Sequence, residues 1–417
     1  MKKFINKIFS YVIIFLVIFP ASMEAYPIDG FVRTGIKRLL RLERIEKGEI
    51  KDKLPPTGAL LRTEDIKLSL LDHTLDQFPT IDAGLDGQLQ KLFPNLHESY
   101  SVALLDYSDP ENIRYAERQA NRGFQPGSVG KLAVVTGLFC ELEDLYPDDF
   151  QARINLLKNK KVRAGYWAIP NIHTVPFFNP DNNKLDKRLL VEGDVFSLFE
   201  WVDHMLSVSS NGAASVVWRE IILMRHFGDD YPQLDEKTAE AYFSETSRKE
   251  LSDIAVHVVN QPLRDLGIGE DEWRLGTFFT RGATNKVPPQ GGSIGTPRGM
   301  LKWLWALESG RIIDKESSLE IKRLMYMTDR RIRYAANPAL SEAAVYFKSG
   351  SLYKCKEEPG YTCEKYKGNV NNYMNSVAMI EFPGGRKYMV ALMTNVLRKN
   401  SNSDHNALAS RIDQLIK

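Results

Sequence analysis

The chain has 417 residues, 55 Lys and Arg against 53 Asp and Glu, with 43% hydrophobic and 26% charged positions. This composition excludes a disordered, fibrous or repetitive protein and leaves room for a large core and two structural units. A net charge of +2 excludes a strongly basic nucleic-acid binder and points to an uncharged or zwitterionic small molecule or peptide as partner.

Residues 1–25 read as a signal peptide. Lys2, Lys3 and Lys7 precede an apolar run from Ile8 to Phe19, broken by Ser10, and the small residues Ala21, Ser22 and Ala25 follow. The run is short for a spanning helix, which needs about 20 residues. Cleavage after Ala25 or Ala21 predicts a periplasmic or secreted protein with no stable membrane span, and an uncleaved anchor is the alternative. Residues 26–95 read as a helical segment: Ile36, Leu39, Leu40 and Leu42 fall near one side, with solvated basic residues between, and Pro55-Pro56 ends the pattern. A second helix is expected over Ala83–Phe93.

Tyr100–Tyr107 has a strand character, with Ile113–Ala116 as its hairpin partner. From Ser128 to Leu145 the pattern is helical, and residues 146–195 look irregular. Helices resume at Val195–Leu206 and Ala213–Met224. Ser247 and Glu250 form a capping-box pattern, and Thr296-Pro297 opens another helix. Ala344–Tyr353, Asn375–Phe382 and Lys387–Val396 are β-compatible, with a Pro383-Gly384-Gly385 turn, and Ala407–Ile416 closes the chain as a helix. The expected fold is α+β. An antiparallel sheet is built from both ends of the chain (about 96–120 and 340–417), with a helical lobe at about 128–335.

Only three cysteines occur. Cys355 and Cys363 bracket the Pro359-Gly360 turn and could pair across a hairpin, whereas Cys140 lies in an apolar helical run and reads as a buried free thiol. The seven histidines are scattered without an HExxH or HxH pattern, so no metal site and no cofactor is expected.

Three short motifs carry the chemistry. Ser128 and Lys131 stand three apart at a helix start, on one face, where a neutral lysine amine could take the serine proton. Ser209-Ser210-Asn211 lies between two helices. Lys348-Ser349-Gly350 lies inside a strand, where glycine often marks a close approach. Together, in this order, they resemble the penicillin-recognising serine hydrolases, the class A β-lactamases and penicillin-binding DD-peptidases, whose signature is Ser-x-x-Lys, Ser-x-Asn and Lys-Thr/Ser-Gly. The likeness spans residues 98–417. It implies Ser128 as nucleophile, Lys131 as proton acceptor and Ser209 as proton relay. Asn211 would bind the acyl-side amide, Lys348 and Ser349 the substrate carboxylate, with Gly350 between them and the oxyanion site. The N–H groups of Ser128 and Ser351 would hold the oxyanion. The implied function is an extracytoplasmic acyl-serine hydrolase of a β-lactam or related amide. The alternatives are a D-Ala-D-Ala carboxypeptidase or esterase, and a penicillin-binding sensor that acylates without turnover.

Two features depart from the class A pattern. The second motif has Ser210 where Asp is usual. The Glu-x-x-Leu-Asn loop has its best match at Glu272–Gly276, without the Asn, so Glu272 is either a deacylation base or a surface acid. About 61 residues separate Asn211 from Glu272, which implies an insertion at 226–260. Gly291–Gly295 matches a nucleophile-elbow pattern, but Val287-Pro288-Pro289 precedes it and makes it a loop. Gly127–Lys131 fails as a phosphate loop because Gln125 and Leu132 occupy required positions. Tyr166, Trp167, Phe177 and Phe178 are either cleft walls or core.

Overall fold

The computed structural model describes residues 27–326 and 331–416, so the signal-peptide pattern lies outside the described residues. The N-terminal arm begins with α1 (Phe31–Thr34) and α2 (Lys37–Glu46). Extended chain with two isolated 3-10 turns follows, as far as α3 (Ala83–Gln90), where the Asp82 carboxylate accepts the Leu85 N–H. α2 turns Leu39, Leu42 and Ile45 inward. Its basic residues are not all solvated. Arg38 lies four residues before Leu42, on the same face, and is buried against Asp203 with bonds of 2.7 and 2.6 Å. The bidentate carboxylate offsets the cost of burying the charge.

Strands β1 (Ser101–Asp106) and β2 (Arg114–Arg118) form the expected hairpin, and a 3-10 turn at Gly127–Gly130 leads into α4 (Lys131–Leu145). Residues 146–195 are more ordered than their composition suggests. They hold α5 (Phe150–Asn159), β3 (Lys161–Arg163), the β4 (Val175–Asn179) and β5 (Lys184–Arg188) hairpin, and β6 (Val195–Ser197). A Ser197/Glu200 capping box opens α6 (Leu198–Leu206), which packs on α7 (Asn211–Phe227). The stretch expected as an insertion holds α8 (Glu236–Glu245) and most of α9 (Arg248–Asp265), the latter capped by Ser247. Then follow β7 (Trp273–Arg274), α10 (Arg281–Lys286), β8 (Ile294–Gly295), α11 (Pro297–Glu308) and α12 (Lys315–Tyr326). The chain ends with β9 (Ala344–Lys354), β10 (Asn371–Glu381), β11 (Lys387–Asn395) and α13 (Asn402–Asp413).

The five-stranded antiparallel sheet has the order β2-β1-β11-β10-β9. Strand alternation divides the core between its two faces. Ala103, Leu105, Tyr346, Val377, Met389 and Ala391 join the helical block. Val102, Leu104, Val345, Ala378 and Val390 pack with Leu85 and Leu89 of α3 and Leu408 and Ile412 of α13. The fold is therefore α+β, as the sequence predicts. The same period puts Lys348 and Gly350 on the Tyr346 face of the edge strand β9, towards the helical block.

Cys355 and Cys363 are disulfide-bonded, with Cα atoms 6.1 Å apart, in the connection between β9 and β10. Cys140 is a free, half-buried thiol whose pKa burial pushes up to about 12. Among the described residues, no helix is long and apolar enough to cross a membrane.

Candidate active site

Ser128 sits in the 3-10 turn just before α4, and this turn presses directly on β9. A Cβ on Gly350 would lie 2.1 Å from the Pro126 carbonyl oxygen and 3.1 Å from the Ser128 nitrogen. A Cβ on Gly127, whose φ is +54°, would lie 2.8 Å from the Ser351 nitrogen. The strand glycine thus marks a close approach, here of backbone on backbone, and it draws the Ser128 and Ser351 amides to one spot. Asn375 on β10 fastens the turn by donating to the Gln125 and Pro126 carbonyls at 2.9 and 3.1 Å.

Lys131 is the first residue of α4 and is fully buried. Its Nζ lies 3.0 Å from Ser128 Oγ, 2.6 Å from the Ser209 carbonyl and 2.8 Å from Asn211 Oδ1. The two carbonyl-type oxygens can only accept, so they take two amine hydrogens and leave the third tetrahedral direction facing Ser128. Ser210 is the N-cap of α7 and accepts the Ala213 N–H at 3.1 Å, which accounts for a serine at the middle of the second motif. Ser209 has φ +61°, a left-handed backbone that a serine seldom adopts. That conformation holds its hydroxyl between two lysines, 2.8 Å from Lys348 Nζ and 3.4 Å from Lys131 Nζ. Lys348 is buried and also donates to the Ser349 carbonyl at 3.2 Å.

Above these groups opens a cleft of about 430 Å³. Ser128, Ser209, Asn211, Lys348, Ser349, Gly350 and Ser351 line it, with Lys131 just beneath, so all eight residues picked from the sequence come together. Other lining residues carry no motif: Ile172, His173, Arg333, Leu352, Tyr353, Lys365 and Tyr366. Tyr353 could have been found from its place two positions beyond Ser351 on the same strand, but nothing local marks Arg333. Its guanidinium donates to the Gly350 carbonyl at 2.7 Å. Phe279 sets its ring centroid 5.1 Å from the Lys131 amine. The aromatics Tyr166, Trp167, Phe177 and Phe178 do not line the cleft, and Trp167 is core. The described lining residues include Arg333, Lys348 and Lys365 but no Asp or Glu, so a nearly neutral chain presents a cationic cleft.

Glu272 is not in the cleft. One carboxylate oxygen pairs with Lys302 Nζ at 2.7 Å, and the other accepts the Gly269 N–H at 2.9 Å. It closes its own turn. Gly276 stands where the resemblance leads one to expect Asn, and a Cβ there would lie 2.5 Å from the Gly291 carbonyl oxygen. Ser293 accepts the Gly276 N–H at 3.1 Å from a loop, with no strand-to-helix elbow around it.

An antiparallel sheet backed by a helical block, with the cleft along its edge strand, is the architecture of the penicillin-recognising serine hydrolases. Within that class, residues 84–416 match the β-lactamase enzyme family, and the chain belongs to it. Among solved structures it is similar to PBP-A, with TM-score 0.50 and 13% identity over 80% of this chain and 96% of that one. It is also similar to a representative class A β-lactamase from Bacteroides cellulosilyticus DSM 14838, with TM-score 0.51 and 15% identity over 79% and 95%. A β-lactamase from Chitinophaga pinensis DSM 2588 gives TM-score 0.50 and 16% identity over 79% and 97%. At such identities the likeness is one of fold. No curated protein sequence matches the chain.

Proposed function

We propose that this protein is an extracytoplasmic serine hydrolase that forms an acyl-enzyme on Ser128 with a β-lactam or related amide and releases it slowly. Residues 96–417 would form the catalytic unit and residues 26–95 an arm packed on it. The observation that carries the reading is the Lys131 amine 3.0 Å from Ser128 Oγ, with its other hydrogens engaged by Ser209 and Asn211. A general base needs a free lone pair, and with two hydrogens held by the Ser209 carbonyl and Asn211 Oδ1 a neutral amine would aim its lone pair at Ser128 Oγ. In this mechanism Lys131 takes the Ser128 proton as Oγ adds to the carbonyl carbon. The Ser128 and Ser351 N–H groups hold the oxyanion. Ser209 passes a proton to the leaving nitrogen, Lys348 and Ser349 hold the substrate carboxylate, and Asn211 takes the acyl-side amide.

Release needs a group that activates water against the acyl ester. No carboxylate lines the described cleft, and Phe279 offers an apolar ring near Lys131. These features favour the penicillin-binding peptidase or sensor reading over a fast β-lactamase. The Cys355–Cys363 disulfide and the N-terminal signal pattern support an oxidising compartment outside the cytoplasm. A fluorescent penicillin should label the protein on the peptide containing Ser128, and the adduct should persist after free drug is removed. Ser128→Ala should abolish labelling, and Lys131→Ala should slow it about 10²- to 10⁴-fold. Labelling at another serine, or none, overturns the proposal.

A further inference from the structure

Antiparallel neighbours are commonly joined by about 2–5 residues. β9 and β10 are joined instead by residues 355–370, stapled by Cys355–Cys363. From this connection and the end of β9, Tyr353, Lys365 and Tyr366 reach the cleft. They are ordered around one ring. Tyr366 stands edge-on to Tyr353 at 5.9 Å between centroids, with the Arg333 guanidinium 5.3 Å and the Lys365 amine 5.2 Å from its centre.

The backbone points the same way. Among the described residues, eight other than glycine have positive φ, and three of them, Ser209, Arg333 and Tyr366, line this cleft. Left-handed backbone in bulky residues persists where the surroundings over-determine it, and it gathers at binding sites. Two acids of the connection are engaged away from Lys365: Glu358 pairs with Arg398 at 2.6 Å and Glu364 with Lys367 at 2.8 Å. Lys365 has no carboxylate partner among the described residues.

We infer that this stapled connection is a subsite for the acyl half of the substrate, selective for an acyl group with a flat body and a negative charge. The inference rests on the acyl-serine reading above. Lys348 and Tyr353 lie on opposite sides of Ser351, about 10 Å and 7 Å along the strand at about 3.3 Å per residue. With the reacting carbonyl at the Ser351 amide and the leaving half's carboxylate at Lys348, the acyl half runs towards Tyr353. There the tyrosine rings take the flat body. Lys365, with Arg333 behind Tyr366, takes the charge.

The test compares two penicillins that share a benzyl side chain and differ by one carboxylate on it. Two quantities are read on the full mature chain: the acylation rate constant, and the equilibrium affinity for Ser128→Ala by calorimetry. The carboxylated compound should win by about 3- to 10-fold in both, and the preference should shrink with added salt. Lys365→Ala should abolish the preference, Lys365→Arg should keep it, and Lys367→Ala on the same connection should leave it unchanged. Lys365 is exposed and the Lys367 side chain is partly so, and urea unfolding checks that each variant folds. Equal acylation and equal binding of the two compounds overturns the subsite and leaves the acyl-serine reading standing. A binding preference without acylation of Ser128 overturns the acyl-serine reading and leaves the subsite. Binding of neither compound overturns both.

Discussion

Gly350→Ala isolates the contact on which the site is built. The added Cβ would meet the Pro126 oxygen at 2.1 Å, the Val129 nitrogen at 2.9 Å and the Ser128 nitrogen at 3.1 Å, all backbone atoms that no rotamer change can move. Ordinary contact for such pairs is roughly 3.2 Å or more, so the turn that carries Ser128 must retreat from β9 by about 1 Å. Overpacking of this kind costs about 1–3 kcal/mol, which a domain of this size survives. The larger consequence is for chemistry. The Ser128 amide and Oγ move away from the Ser351 amide, while Lys131 stays tied to Ser209 and Asn211. A 1 Å misplacement at a reacting centre can cost about 10²-fold in rate. The labelling rate with a fluorescent penicillin should fall by that order, while urea unfolding shows a cooperative transition with an unchanged slope. A labelling rate within threefold of the parent would mean that the glycine contact does not set the nucleophile's position, and the reasoning would fail.

Glu272→Gln should leave the acyl-enzyme lifetime within about twofold of the parent, costing at most about 1 kcal/mol for the weakened Lys302 pair; a trapped acyl-enzyme in a mass-spectrometric time course would restore Glu272 as a water-activating base. Arg38→Met leaves Asp203 buried without its guanidinium and should cost about 3–5 kcal/mol in urea unfolding, much of it recovered by adding Asp203→Leu; a double variant no more stable than the single contradicts this. Burial, with a smaller effect from Arg333, pushes the pKa of His405 down to about 3, while its ring nitrogens contact Ser376 and Thr394 hydroxyls at 3.0 and 3.2 Å. Between about pH 6.5 and 3 the unfolded chain therefore binds the extra proton, so this imidazole's contribution is lost as pH falls, by about 1.4 kcal/mol per unit. The stability gap between the parent and His405→Gln should close with that slope between pH 6.5 and 4.5, and parallel profiles would refute it.

The clustering of the motif residues in one cleft is legible in the sequence because they sit in short motifs whose local conformation is self-specified. Ser128 precedes a strongly apolar helix, Ser210 caps one, and Gly350 interrupts a strand of residues buried on both faces. Strands β9, β10 and β11 were legible for the same reason. The order in residues 146–195 was not. α5 is announced only by the Asp149 cap and a few apolar positions, and the exposed β5 strand, Lys184–Arg188, has no apolar alternation to betray it. Arg38 carries the pattern of a solvated residue, and its burial depends on Asp203, 165 positions away. Glu272 is a related case, left open in the sequence between a deacylation base and a surface acid. Its local pattern fits a catalytic loop, but Lys302, in α11, claims the carboxylate, and only the fold reveals that.

The strand order has a consequence for how the molecule is made. β1 is read out well before β11, its partner in the sheet, and the Ser128 turn waits for β9 and β10 to press against it. An emerging chain therefore carries Ser128 and Lys131 without the Ser351 amide beside them until β9 has been made. Such long-range pairing also makes folding slow. Until β9, β10 and β11 join β1 and β2 in one sheet, the three motifs of the cleft remain apart.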